Sequence, residues 1–210
     1  MFMAARSHVQ LGELVAGTAL LVVDMVHDFV DGVLGSEGAR RAVPRVAQVL
    51  AEARQRQVPV FFVQDAHEVG DPELELWGPH AIAGTRGAKT VPELAPREGE
   101  RVLSKHWYNA FTNPALGEEL DRLGVDHVVL VGVSTDICVQ NTCAGAFFRA
   151  LRSTVVSDAT ASIASDAHAG ALEYMRNIFG ARIVVADTAF DAEPVGPAGT
   201  AAGRAAGTVR

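Results

Sequence analysis

Three things are scarce in this chain, and each scarcity removes a class of protein. Cysteine is the first: Cys138 and Cys143 are the only two in 210 residues. On one helix, five steps of about 1.5 Å would hold their Cα atoms roughly 7.5 Å apart along the axis, too far for an unstrained disulfide. A disulfide-stapled fold is thereby excluded, and a reducing cytoplasm is the expected setting. Positive charge is the second: 18 Lys and Arg against 25 Asp and Glu leave a net charge of −7. No basic cluster offsets it, which argues against a nucleic-acid surface and leaves a balance that mainly aids solubility. Long apolar runs are the third, and none is long enough to span a membrane. Leu14–Val23 behind Arg6 imitates a signal peptide, but Asp24 closes the run and no small-residue cleavage site follows, so it reads as a strand. The chain carries no internal repeat.

What is present is an ordinary globular composition, 49% hydrophobic and 20% charged, in a length that suits one medium α/β domain with a substantial core. That domain is expected over residues 19–188. A lead-in precedes it (1–18), and a flexible tail rich in Ala, Gly and Pro follows (189–210). Continuous apolar runs predict strands at Ala19–Asp24, Pro59–Gln64, Arg101–Leu103, Val128–Val131, Thr154–Ser157 and Ile183–Ala186. Helices are predicted over Ala42–Gln57, Asn113–Leu123, Asp136–Arg152 and Asp166–Phe179, the last with Asp166 as N-cap and Gly180 as C-cap. A Gly-rich loop covers Asp31–Gly38, and residues 65–100 are irregular, a length that usually signals function. Strand and helix alternate throughout. The fold class is therefore α/β, a three-layer α/β/α sandwich with a mostly parallel central sheet.

Such sheets bind ligands beyond the carboxyl ends of their strands. At those ends stand Asp24, Asp65, Lys105, Cys138 and Asp158. Cys138 matters most, because it follows the run Val128–Gly132 and the small polar residues Ser134 and Thr135, where a helix begins. Free N–H groups and the helix dipole at such a point favour a thiolate and can lower a thiol pKa from about 8.5. Asp136 is the candidate N-cap. A thiol, a carboxylate and an ammonium at one sheet edge can perform nucleophilic acyl chemistry. The carboxylate moves the thiol proton to a leaving amine, and backbone N–H groups of Ser134–Cys138 can form an oxyanion hole. Singly, each has a plainer reading: Cys138 as core filler, Asp24 as a turn acid, Lys105 as a solvated surface charge.

Three ordered motifs go further. Leu21-Val22-Val23-Asp24-Met25-Val26-His27-Asp28-Phe29, Ser104-Lys105-His106-Trp107-Tyr108-Asn109-Ala110-Phe111 and Gly132-Val133-Ser134-Thr135-Asp136-Ile137-Cys138-Val139 resemble those of the isochorismatase-like cysteine hydrolases. Nicotinamidases are the best-known amidases of that superfamily. The similarity runs from Ala19 to Ala186. It implies the three-layer fold, a catalytic triad of Asp24, Lys105 and Cys138, and an oxyanion hole built from the N–H groups of Ser134 and Cys138 beside a cis Val133–Ser134 peptide. Two positions depart from the pattern: the family commonly has Ala at Cys143 and an acid at Gly145. Cys143 reads as a core residue.

The loop after Asp65 supplies a second group. Asp65 and His67 share one face of an extended segment, and Glu73 and His80 follow. Carboxylate and imidazole ligands of this kind suit zinc, manganese or iron. The plainer reading is a set of surface loop polars. The Asp-x-His pair and the His after Trp77-Gly78-Pro79 resemble the nicotinamidase metal site. That resemblance implies a divalent ion held by Asp65, His67 and His80, with Glu73 as a further ligand and Asp71 as its competitor. There the ion binds a pyridine nitrogen and orients the ring, without activating water. Phe29 and Trp77 become aromatic pocket walls, with Tyr108 and Phe111 at or behind the pocket floor. His27 and Asp28 read as turn-shaping, His106 as a packed or exposed residue without a role, and His168 as structural.

The expected activity is a cysteine-dependent amidohydrolase that cleaves a small carboxamide to acid and ammonia through a thioester, with nicotinamide to nicotinate as the leading reaction. Rivals are an amidase for an N-carbamoyl compound, maleamate or a ureido acid, isochorismatase proper, whose vinyl-ether hydrolysis needs no thiol, and a non-catalytic α/β binding protein. A carboxylate-bearing substrate calls for an arginine, and Arg86 is the loop arginine placed to supply it. The expected partner is a small-molecule amide, with no nucleic acid or membrane. The superfamily implies a homo-oligomer, dimer or tetramer.

Overall fold

The computed structural model describes residues 17–191; the expected lead-in up to residue 16 and the expected flexible tail from residue 192 lie outside the described residues. Six strands form the sheet: β1 (Thr18–Val23), β2 (Val60–Asp65), β3 (Arg101–Lys105), β4 (His127–Val133), β5 (Arg152–Ala161) and β6 (Arg182–Val184). Their order is β3-β2-β1-β4-β5-β6, and every pair is parallel. Six helices connect them: α1 (His27–Val30), α2 (Glu37–Gln55), α3 (Glu73–Trp77), α4 (Pro114–Arg122), α5 (Gln140–Phe148) and α6 (Ala167–Phe179). This is the expected α/β/α sandwich. No helix among the described residues is long and apolar enough to cross a membrane.

The unbroken apolar strands are explained by two cores. Alternate side chains of a strand face opposite ways. In β1, Leu20 and Val22 pack with Val46, Val49 and Leu50 of α2, whereas Leu21 and Val23 pack with Leu116 and Leu120 of α4, Ala146 of α5 and Met175 of α6. Both faces are covered, so β1 is apolar apart from Thr18, whose hydroxyl pairs with His127 Nδ1 at 3.3 Å, and all six residues are buried.

Several boundaries differ from the sequence reading. Helix α2 begins at Glu37, five residues before the expected start, because the Ser36 hydroxyl accepts the Ala39 N–H at 3.0 Å and caps it. Gly38, assigned to the Gly-rich loop, lies inside the helix, as does Pro44. The expected helix from Asp136 opens instead as a wide turn with five-residue hydrogen-bond spacing, Thr135–Val139, before α5. Asp136 does not cap it; its carboxylate accepts the Ser134 hydroxyl at 2.6 Å. Asp166 stands at the N-cap of α6 without a side-chain cap bond, while Gly180 closes that helix at φ 67°.

Strand β5 runs to Ala161, four residues beyond the expected end at Ser157, with a register irregularity against β4 between Leu130 and Gly132. Asp158 therefore does not stand at a strand end. It accepts Arg45 Nε at 2.7 Å and the Ala186 N–H at 2.7 Å, and it takes no part in the site below.

Candidate active site

The strand order reverses direction between β1 and β4, the switch point at which open α/β sheets leave a crevice. Asp24 leaves β1 and the segment Ser134–Cys138 leaves β4 at that point. Two backbone features permit the approach. Asp24 adopts φ 53°, rare for a residue with a side chain, and Gly132 adopts φ 117°. A Cβ on Gly132 would stand 1.9 Å from Val23 O, so only glycine lets β4 pass β1 there. The Val133–Ser134 peptide is cis.

Lys105 ends β3 and pairs in register with Asp65 at the end of β2. Its side chain is buried, with Nζ 2.6 Å from Asp65 Oδ1, 2.8 Å from Asp24 Oδ2 and 3.7 Å from Cys138 Sγ. The Asp65 N–H donates to Asp24 Oδ1 at 2.7 Å. The ammonium thus bridges two carboxylates, and the thiol lies beside it. Asp24 Oδ2 is in ion-pair contact with Lys105 but has no aligned hydrogen bond among the described residues. A carboxylate oxygen of Asp24 and Cys138 Sγ lie within 4.8 Å of each other.

The electrostatics correct one expectation. Burial pushes the Cys138 thiol well above its ordinary value; the Lys105 ammonium opposes this, and the Asp24 and Asp65 carboxylates add to it. A helix start was expected to lower that value. Its partial charge is outweighed because the thiol is 5% exposed and faces two carboxylates against one ammonium. Burial first, then Asp65, raises Asp24 to about 6. Burial also works against Lys105, but Asp24, Cys138 and Asp65 outweigh it and hold the ammonium well above its usual value. For Asp65 the same burial is outweighed by Lys105 and His67, so its carboxyl lies low.

Asp65, His67, Glu73 and His80 are all buried, with one ligand atom of each within 4.8 Å of the others. His67 Nδ1 donates to Asp71 Oδ2 at 3.1 Å and His80 Nδ1 to Gly78 O at 2.8 Å, which leaves both Nε2 lone pairs for the cluster. His67 Nε2 and Glu73 Oε1 are buried without a hydrogen-bond partner among the described residues. Burial and Asp65 push Glu73 to about 7. Converging lone pairs, two of them orphaned, beside a Glu73 carboxyl reluctant to ionise are what a divalent cation would relieve, so the donor set fits one. Asp71 sits on the far side of His67, where it also accepts the Glu68 N–H and His106 Nδ1 at 2.8 Å. It is placed to hold His67 rather than to join the four. The sequence reading gave His106 no role; the structure ties it to Asp71.

Both groups open onto one cleft of about 430 Å³, counting the open space at its mouth. Phe29, Trp77 and Tyr108 line it, as do Ser134, Cys138, Asp65, Glu73 and His80. Phe29 meets the His80 ring edge-on at 5.4 Å, and Trp77 Nε1 donates to the Tyr108 hydroxyl at 3.1 Å. Phe111 instead packs in the core under the Arg149 guanidinium. Asp28 pins the loop, its carboxylate accepting the Ala81 N–H at 2.8 Å, and His168 bonds Thr135 Oγ1 at 2.9 Å. Cys143 is wholly buried, and a Cβ at Gly145 would lie 2.4 Å from Asn109 Oδ1, which fills the space.

Arg86 does not reach the cleft: its side chain is 75% exposed and lies 3.7 Å from Asp31. Among the described residues no other Arg or Lys lines the cleft either. The wall formed by Ala161, Ser162 and Ile163 was missed in the sequence. A longer reading of β5 would have placed those residues at a strand end.

An isochorismatase domain matches residues 18–187. A nicotinamidase/pyrazinamidase of Mycobacterium tuberculosis is 32% identical over 174 residues, 75% of this chain and 94% of its own. A probable inactive nicotinamidase of Arabidopsis thaliana is 33% identical over 77% of this chain and 89% of its own. The structure of N-carbamoylsarcosine amidase from Thermoplasma acidophilum superposes with a TM-score of 0.76 at 37% identity, covering 81% of this chain and 96% of that one. The domain match spans the sheet from β1 to the turn after β6, the structural likeness is of the same extent, and the chain belongs to the isochorismatase family of hydrolases.

Proposed function

We propose that this protein is a cysteine amidohydrolase that converts a small, uncharged carboxamide to its acid and ammonia, with nicotinamide as the leading substrate. The observation that carries the reading is the convergence of Cys138 Sγ, Lys105 Nζ and Asp24 beneath a cleft that Cys138 lines together with Asp65, Glu73 and His80 of the four metal-competent ligands. Because the thiol rests protonated, attack requires a base. Asp24, raised to about 6 and with Oδ2 open, accepts the Cys138 proton as Sγ bonds to the carbonyl carbon. The Ser134 and Cys138 N–H groups receive the oxyanion; that of Ser134 makes no other hydrogen bond among the described residues. Asp24 then protonates the departing nitrogen, the C–N bond breaks and ammonia leaves. Water adds to the thioester, gives its proton to Asp24, and the acid departs as that proton returns to Sγ. Lys105 keeps the Asp24 carboxylate available throughout.

A divalent cation, zinc, manganese or iron, would be held by Asp65, His67, Glu73 and His80, and would supply a Lewis-acid contact for a ring nitrogen. Phe29 and Trp77 flank a flat ring. The rival N-carbamoyl, maleamate or ureido-acid substrates carry a carboxylate, and the cleft offers it no arginine or free lysine among the described residues. One relative is named a probable inactive nicotinamidase, but here all three triad side chains are present and in mutual reach. A cytoplasmic homo-oligomer completes the reading. The exposed aromatics Phe147 and Phe148 on α5 and Tyr174 on α6 support the association of copies. Ammonia release from nicotinamide, with and without zinc or manganese, is the test. Wild-type turnover that Cys138→Ala abolishes without loss of fold is the expected result, and an active Cys138→Ala variant refutes the mechanism.

A further inference from the structure

Ser162 is 5% exposed, and its hydroxyl is shielded from solvent with no hydrogen-bond partner among the described residues. A buried hydroxyl left unpaired is unfavourable and calls for an explanation. Its position supplies one. Val133 of β4 pairs with Ala161 of β5, so Ser134 and Ser162 leave the sheet side by side, about one strand spacing (~4.8 Å) apart. Both line the cleft that holds Cys138.

The other polar groups of the cleft are engaged or, like Glu73 and His80, belong to the four metal-competent ligands. Ser36 Oγ accepts the Ala39 N–H, and Ser134 Oγ donates to Asp136 and accepts the Ile163 N–H. The Tyr108 hydroxyl accepts Trp77 Nε1, and Asp65 holds Lys105. A primary carboxamide seated beside Cys138 brings a carbonyl oxygen and two N–H donors. In the proposed mechanism the oxygen has the Ser134 and Cys138 N–H groups, while the amide N–H groups still need an acceptor.

We infer that Ser162 Oγ is a substrate-recognition group that accepts an amide N–H, so that the cleft selects carboxamides over the matching esters; this rests on the amidase reading above. The experiment compares wild type with Ser162→Ala on nicotinamide and on methyl nicotinate, whose ester has no N–H to offer, together with thermal unfolding of both proteins without substrate. One neutral hydrogen bond is worth about tenfold. Ser162→Ala therefore lowers kcat/KM for the amide about tenfold and changes the ester rate less than twofold. With an unpaired hydroxyl removed, Tm stays level or rises by about 2–4 °C. Equal losses on amide and ester overturn the assignment, as does full amide turnover by the variant, or an amide loss accompanied by a fall in Tm. A wild-type protein inactive on every small amide overturns the amidase reading itself, and this assignment with it.

Discussion

Lys105→Met tests the centre of the site. Methionine keeps most of the unbranched stem and removes the ammonium, which leaves Asp24 and Asp65 buried and facing each other without a cation. In the native chain those carboxylates lie 2.8 and 2.6 Å from Nζ, all three side chains at most 1% exposed. Deleting one partner of a buried ion pair costs about 3–5 kcal/mol, because the remaining charge keeps its desolvation penalty. In a chain of this size each kcal/mol moves Tm by roughly 2–4 °C. The variant should therefore melt about 6–20 °C below wild type, with amide turnover lost as well. The assay is thermal and urea unfolding of wild type, Lys105→Met, Asp24→Asn and the double variant, all treated with chelator. Because the residues touch, the cycle should show a coupling of about 0.5–3 kcal/mol, with the double variant more stable than the sum of single losses allows. A Lys105→Met protein within 1 kcal/mol of wild type, or additive losses, would refute the bridging ammonium.

Three other outcomes can be stated. Gly132→Ala forces a Cβ to within 1.9 Å of Val23 O at φ 117°, so it should cost more than about 4 kcal/mol and yield little folded protein; a soluble variant with native Tm contradicts the close β1–β4 passage. Asp71→Asn should weaken metal binding about 10–100-fold in chelator competition while one ion per chain still binds, because Asp71 orients His67 from behind; loss of that stoichiometry would make Asp71 a ligand instead. Burial works against Glu100, but the two bonds from Arg54 at 2.7 and 2.8 Å and the Arg97 N–H hold its carboxyl below the usual range. A depressed folded value stabilises above the unfolded pKa of about 4.3 and is lost as pH falls through the folded one. The Tm advantage of wild type over Glu100→Gln should thus be full at pH 7 and fade below about pH 4; a constant difference across that range refutes it.

Much of this architecture is legible because it is enforced locally. An apolar run such as Leu20–Val23 has no alternative to burial on two faces, and the polar residue that ends it marks the sheet edge. Where the reading fell short, a distant partner decides. Asp158 looks like a strand terminator until Arg45, on another element, compensates it inside β5. Gly38 looks like loop until the Ser36 cap and the packing of Val46, Val49 and Leu50 carry α2 through it. Arg86 looked well placed by chain position alone, and its contact with Asp31 turns it outward. The thiol of Cys138 shows the same division most sharply. A helix start and the acids that end β1 and β2 are visible in the sequence, whereas the depth at which the thiol is buried is not.

That last point bears on how the two halves of the site depend on each other. Asp65 belongs to both: one oxygen holds Lys105, and the other lies 3.6 Å from His67 Nε2. With Asp24 and Asp65 ionised against one ammonium, the buried group carries an excess of negative charge. Burial first, and that excess after it, resists further ionisation there, so the Cys138 thiol keeps its proton and Glu73, facing the same Asp65, is raised to about 7. The charge imbalance that calls for a base in the proposed attack by Cys138 is therefore also one that the neighbouring four residues would relieve by holding a cation. Separate variants on either side, Asp24→Asn for the triad or Glu73→Gln for the cluster, should each alter the other's property: metal affinity should fall in Asp24→Asn, although Asp24 is not among the four. Unchanged metal affinity in that variant would show that the two halves are neighbours without being electrostatically joined.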